Sequence, residues 1–144
     1  MTFAYFDTSA LVKRYVRERG SAQVASLLRR HDLLSSVITP VEILSALSRR
    51  RRNGDLSREN FSVTVSRVQN DRVRWELVEV GATVLSRAED LVQGSVAMRA
   101  LDAIHIASLM TFQDATGIRV SFITGDGRQR DAAEQMNLAV VCVG

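Results

Sequence analysis

The chain has 144 residues, the length of one ordinary domain, and should bury roughly 68% of its unfolded surface without a disulfide or metal staple. Its 46% apolar and 24% charged residues exclude intrinsic disorder, collagen-like repeats and coiled coil, so residues 1–144 read as a single domain. The one cysteine, Cys142, excludes an intrachain disulfide, and the two histidines, His31 and His105, argue against a structural zinc site. The N-terminal run meets Asp7 too early for a signal peptide. No apolar stretch approaches the 18 or so residues of a membrane span, and a cytoplasmic protein is expected. The net charge is +3, and of its 19 basic residues all but Lys13 are arginine. Arginine's planar fork suits phosphate, although an arginine-favouring genome gives the same bias. The charge permits a nucleic-acid partner without demanding one.

Short apolar runs alternate with amphipathic stretches along the chain. Thr2 to Phe6 reads as a first strand and Ser9 to Val16 as a helix. Ser21 is placed to cap a second helix through Val24, Leu27 and Leu28. A strand is expected over Leu33 to Val37. Thr39-Pro40-Val41-Glu42 then has the form of a helix start, with Thr39 as cap and Glu42 completing a capping box. That helix runs through Ile43, Leu44 and Leu47 into Arg49–Arg52, and Asn53-Gly54 ends it. Ser57 caps the next, with Phe61, Val65 and Val68 facing a core. Trp75 to Val80 alternates like a half-buried or edge strand. Val84, Ala88 and Leu91 mark a further helix, and Ala100 to Met110 another. A strand over Arg119–Thr124, a helix over Gly127–Met136 and a strand over Leu138–Val143 complete the chain. Strands separated by helices predict a mostly parallel sheet in an α/β fold of three layers, α/β/α.

Ligands in such sheets bind beyond the carboxyl ends of the strands. Asp7 and Asp126 each follow a strand, where an Asp also serves as a helix cap. Asp102 interrupts Ala100-Leu101-Asp102-Ala103-Ile104-His105-Ile106-Ala107, a segment apolar around most of its circumference. There it either favours the helix dipole, pairs with His105 one turn on, or serves a cation. Glu42 reads equally as the third residue of a capping box. Brought together, the four acids would repel one another, which raises their pKa values and favours a divalent cation. Hard oxygen donors without His or Cys select Mg²⁺ or Mn²⁺, and such a site beside arginines points to phosphodiester chemistry.

The segments FDTSALVKRY (6–15), SSVITPVEILSAL (35–47), RALDAIHIAS (99–108) and FITGDGRQRDAA (122–133) resemble, in order, the four motifs of the PIN domain. More narrowly they resemble the VapC-type toxin ribonucleases of bacterial toxin–antitoxin pairs. The resemblance implies that Asp7, Glu42, Asp102 and Asp126 form an acidic quartet holding Mg²⁺ or Mn²⁺, with Ser9 and Thr124 as supporting hydroxyls. It also implies endoribonuclease activity on structured RNA (tRNA or rRNA), a homodimer and a cognate VapB-type antitoxin. That antitoxin would offer an arginine or lysine to acids that lack a lysine of their own nearby. Gln129 stands where the family often has an aromatic or aliphatic residue. Gly125 and Gly127 make the loop around Asp126 more pliant than usual, and Asp131, one turn on, is a reserve acid. Arg14, Arg99 and Arg128 lie nearest the acids in sequence and are expected to hold RNA phosphates. The alternatives are an RNA-processing PIN nuclease that is not a toxin, an aspartyl phosphotransferase using Asp7, a nucleic-acid binder using Arg49–Arg52, and a non-catalytic scaffold.

Overall fold

Three strands, β1 (Thr2–Phe6), β2 (His31–Ser36) and β4 (Ser121–Thr124), carry apolar side chains on both sides, the pattern of strands covered on both faces. In the computed structural model, which describes residues Met1–Gly144, they form the centre of one sheet. Its order is β3-β2-β1-β4-β5, and every neighbouring pair is parallel. The edges are β3 (Glu76–Val78) and β5 (Val140–Cys142). The expected edge character of the Trp75 region is thus found, in a strand shorter than its alternation suggested. No helix is long and apolar enough to cross a membrane.

Period-two alternation divides the core. Ala4, Phe6, Leu33 and Ile123 face α1 (Thr8–Tyr15), α2 (Ser21–Arg30), α3 (Thr39–Arg52) and α4 (Arg58–Asp71), packing on Leu11, Val24, Ile43, Leu47 and Val68. Tyr5, Leu34 and Phe122 face α5 (Ala82–Val92), α6 (Ala100–Thr116) and α7 (Gly127–Gln135), packing on Val84, Ile106, Leu109 and Ala133. This is the three-layer arrangement the alternating pattern predicts. Helix α6 continues past Met110 to Thr116 because Phe112 still packs on that core, edge-on to Phe3 at 5.6 Å.

Two of the expected caps form differently. Ser57 accepts from Asn60 N at 3.1 Å, as expected. Ser21, however, is the first residue of α2 rather than its cap. Its hydroxyl accepts from Glu18 N and donates to Val16 O, tying the α1–α2 turn instead. Thr39 likewise lies inside α3, whose N-cap is Ile38. The Thr39 hydroxyl turns back to Ser35 Oγ at 2.7 Å and accepts from Ser36 N, so no capping box forms and the Glu42 side chain is left for other partners. The arginine run at the end of α3 divides by function. Arg50 pairs with Glu18 at 2.6 Å, Arg51 lies 4.4 Å over the Phe61 ring, and Arg49 Nη1 donates to Ser45 Oγ.

The sheet order places β1 beside β4 at the point where successive connections leave in opposite directions. The loops after these strands diverge to α1 and α7, opening a crevice between them. The far side of α1 is closed by Gly20, at φ +92, against the C-terminal residues. A Cβ there would stand 2.8 Å from Gly144 N and 3.0 Å from Val143 C, both backbone atoms. Gly20→Ala is expected to cost at least about 2 kcal/mol, from left-handed strain and the backbone clash. Gly81→Ala, with open space around its Cβ position, should cost less than about 1 kcal/mol. Denaturant melts of both variants check the contrast.

Candidate active site

Asp7 is the first residue beyond β1, and its backbone N–H still donates to Ile123 O of β4 at 3.0 Å. Its carboxylate is 4% exposed and fully engaged. Oδ1 accepts from Ser9 Oγ at 2.7 Å and from Ala10 N at 3.0 Å, which caps α1. Oδ2 accepts from Thr124 Oγ1 at 2.6 Å. The same two hydroxyls reach across to the loop after β4. Ser9 Oγ accepts from Gly125 N at 2.9 Å, and Thr124 Oγ1 accepts from Asp126 N at 3.1 Å. Asp126 in turn caps α7 through Arg128 N. The glycine-flanked loop is therefore pinned rather than pliant. A Cβ at Gly125 would displace the flexible end of Lys13, at 2.6 Å, and press on Ser9 O at 3.2 Å. Capping and placement at the crevice coexist for both acids, because a strand-to-helix turn aims its cap residue along the strand ends.

Glu42, released from any capping box, reaches from α3 to Thr8 and His105. Its Oε1 accepts from Thr8 Oγ1 at 2.7 Å and from His105 Nε2 at 2.7 Å. His105 Nδ1 meets the Tyr5 hydroxyl at 2.8 Å. Burial, and after it the charge of Asp7, pushes the Tyr5 phenol well above its usual range. A carboxylate only accepts, so Nε2 donates to Glu42, and Nδ1 of a neutral ring then accepts from the protonated Tyr5 hydroxyl. Tyr5, Thr8 and His105 were not among the site residues expected from sequence. The available signal was one of only two histidines placed on an otherwise apolar buried helix, but helical spacing pairs it with Asp102. In the fold Asp102 instead faces Arg99 Nε at 3.5 Å.

All four acids line one cleft of about 910 Å³, together with Ser9, Lys13, Glu18, Arg49, Arg50 and Arg99. The remaining expectations divide. Arg99 is on the cleft wall, whereas Arg14 lines a neighbouring groove with Tyr15, Arg17 and Arg67 and approaches Asp71 at 3.8 Å. Arg128 does not line the cleft; its amide serves Asp126 and its side chain is exposed. Asp131 is exposed, pairs with Arg130 at 3.0 Å and does not line the cleft. The expectation that no lysine lies near the acids is also corrected. Lys13 lines the cleft, though its ammonium is taken by Glu18 and the Arg19 carbonyl. Gln129 is buried at 2% exposure and donates to Asp102 O, so it ties α7 to the first turn of α6. Its Oε1 has no partner.

The four acids share a cleft without closing on one point. No three His, Cys, Asp or Glu side chains are arranged to hold a metal ion as they stand, because each carboxylate faces a protein donor. The donor set still has the chemistry of a hard divalent cation: carboxylate and hydroxyl oxygens, without thiolate.

The acids do not share a single electrostatic state. Burial raises the Asp7 pKa, and His105, Thr124, Ser9 and Ala10 reverse this only in part. Burial also raises Asp102; Arg99 pulls it down and the charge of Asp126 pushes it up. For Glu42 the upward push of burial is outweighed by His105 and Thr8, leaving it below its usual range. The expected uniform rise from mutual repulsion is therefore corrected: desolvation comes first, and repulsion is felt at Asp102.

For Asp7 a raised folded pKa means that the folded state holds its proton longer than the unfolded chain. This contribution favours folding below the unfolded value of about 3.9 and is lost as pH rises through the folded value. Asn keeps the cap and removes the buried charge. Asp7→Asn should therefore melt above wild type in EDTA at about pH 7.5, with the gap closing toward about pH 4. If Mn²⁺ binds the native state through Asp7, the variant should also gain less stability from it. A variant that melts lower and responds to Mn²⁺ like wild type reduces Asp7 to a cap.

Comparison with known proteins agrees with this geometry. The family model described as PIN domain matches residues 4–135. Ribonuclease VapC46 of Mycobacterium tuberculosis is 32% identical over 142 residues, covering 98% of this chain and 98% of that protein. Among solved structures, FitAcB from Neisseria gonorrhoeae superposes with a TM-score of 0.73 at 15% identity over 96% of both chains. A toxin–antitoxin complex from Klebsiella pneumoniae gives 0.60 at 16% identity over 85% of this chain and 86% of that one. With acids from β1, α3, α6 and the β4 loop meeting at the crevice of a parallel sheet, and a family match along nearly its whole length, the chain belongs to the PIN-domain family, in its VapC branch.

Proposed function

We propose that this protein is a Mg²⁺- or Mn²⁺-dependent endoribonuclease, the toxin of a toxin–antitoxin pair, cleaving structured RNA such as tRNA or rRNA. The observation that carries this reading is the convergence of Asp7, Glu42, Asp102 and Asp126 on one cleft whose wall also holds Arg49, Arg50 and Arg99. The four acids would hold the cation, which supplies charge neutralisation and activates water for in-line attack on a phosphodiester. Ser9 and Thr124 hold the Asp7 carboxylate through both of its oxygens. Arg99 is positioned to exchange its contact with Asp102 for an RNA phosphate. No side chain serves as a covalent nucleophile. Ser9 Oγ is committed to Asp7 and Gly125, and no histidine is hydrogen-bonded to it.

An aspartyl phosphotransferase fits less well, since both Asp7 oxygens are hydrogen-bonded and the group is buried. A VapB-type antitoxin and a homodimer belong to the same proposal. The antitoxin would present an arginine or lysine to acids that already accept cationic partners, as Arg99 on Asp102 illustrates. The likeness to the Klebsiella toxin–antitoxin complex supports such a partner.

Purified protein should cut RNA with Mg²⁺ or Mn²⁺ and stop with EDTA; cleavage that survives metal removal rejects the mechanism. Asp102→Asn should lose at least about 10²-fold in rate, because a shifted ligand misplaces the reacting groups. Arg99→Ala should reduce the slope of log affinity against log salt by about one unit while leaving sequence preference unchanged. An unchanged slope places Arg99 off the RNA path.

A further inference from the structure

The second face of β1 sends Tyr5 away from the cleft acids into the α5–α7 core, where it is 0% exposed. Its ring stacks on Phe122 at 5.4 Å and meets the His105 ring edge-on at 5.9 Å. These contacts fix where its hydroxyl stands, 2.8 Å from His105 Nδ1. On the opposite side of the imidazole, Nε2 reaches Glu42 Oε1 at 2.7 Å and lies 3.2 Å from Thr8 Oγ1. A continuous polar chain therefore runs from the sheet through α6 to α3 and the start of α1.

Its end point is asymmetric. Both protein donors, Thr8 Oγ1 and His105 Nε2, fall on Oε1 of Glu42, so Oε2 of this cleft-lining residue takes no hydrogen bond from the protein. A glutamate has three side-chain torsions and at the cleft would otherwise sample many rotamers. Hydrogen bonds from a buried imidazole remove that freedom at the one carboxylate whose reach is longest. The capping box that would have held Glu42 against its own helix is dismantled by Thr39. Fixing it thus falls to groups on other elements.

We propose that His105, which donates from Nε2 to Glu42 and is held at Nδ1 by the Tyr5 hydroxyl, is a positioning residue that holds Glu42 in the orientation needed to bind the divalent cation. This rests on the metal-dependent reading above. Groups that hydrogen-bond to a metal-ligating side chain typically change metal affinity by about 10–100-fold when removed.

Manganese binding can be measured without RNA, by the electron paramagnetic resonance signal of free Mn²⁺, for wild type, Tyr5→Phe, His105→Gln and His105→Leu. His105→Leu should weaken Mn²⁺ binding by about 10–100-fold. His105→Gln, whose amide nitrogen can still donate to Glu42, should recover most of that loss. Tyr5→Phe should weaken binding several-fold, because the ring loses the hydrogen bond that anchors it at Nδ1. In RNA cleavage the half-saturating Mn²⁺ concentration should shift in the same order, with kcat at saturating Mn²⁺ changing less. A His105→Leu protein with a lowered Tm but wild-type Mn²⁺ affinity overturns the proposal, leaving His105 as packing alone. Equal weakening in the Gln and Leu variants overturns it too, since the donor then does not matter. Should His105→Leu fail to fold, unchanged affinity in Tyr5→Phe is decisive against it. Wild type that binds Mn²⁺ but cuts no RNA refutes the ribonuclease reading and leaves this one standing. Wild type that binds no Mn²⁺ removes both.

Discussion

The hydrogen bonds that Asp7 accepts from Ser9 and Thr124 are the constraint on which the site depends. The crevice between β1 and β4 exists because neighbouring parallel strands send their helices to opposite faces. Beyond the last ladder bond, Asp7 N–H to Ile123 O, the sheet itself no longer holds the two loops together. Two hydroxyls close the gap by serving both sides at once, each donating to the Asp7 carboxylate and accepting an amide from the β4 loop. Neither hydroxyl is left unsatisfied, which is what permits a carboxylate at 4% exposure to sit there. Asp126 is placed by the same bonds, because its own amide is one of those accepted.

A second constraint is charge. Asp7, Glu42, Asp102 and Asp126 are tolerated in one cleft because each has a different solution. Asp7 has hydroxyls and an amide, Glu42 a hydroxyl and an imidazole, Asp102 a guanidinium, and Asp126 its own helix N-terminus. The pKa directions follow these solutions. The best-compensated acid, Glu42, is pulled below its usual range, while Asp7 and Asp102 are pushed above it. The acids are thus held near one another without being forced to chelate. Rearrangement toward a cation exchanges existing partners and leaves no carboxylate unsatisfied.

The arginine-rich composition acquires position in the fold. Arg49, Arg50 and Arg99 reach the cleft, Arg51 covers Phe61, and Arg14 and Arg67 border the adjacent groove. A polyanion approaching the cleft would be repelled by the acids themselves, so any affinity for it would come from cations set to the sides. The wall of the cleft supplies them at the end of α3 and the start of α6.

Much of this protein was legible in its sequence. Apolar runs on both sides of short strands, separated by amphipathic helices, determine a parallel three-layer fold, since such strands must be covered twice. The ordered motifs around Asp7, Glu42, Asp102 and Asp126 mark the site, because an acid beyond a strand or inside an apolar helix is a local anomaly that the residues themselves display. What only the tertiary structure decided is which partner each side chain takes. Helical spacing offered His105 to Asp102, but packing of α6 against the sheet gave it to Glu42 and Tyr5. Local rules offered Thr39 as a cap, and the proximity of β2 turned its hydroxyl to Ser35. Arg14 was expected at the acids and no lysine beside them, but the winding of α1 turns Lys13 to the cleft that holds them and Arg14 to the neighbouring groove. Partners separated by 63 or 100 positions, as for Glu42–His105 and Tyr5–His105, meet only when the sheet and its helices close. No local periodicity carries that information.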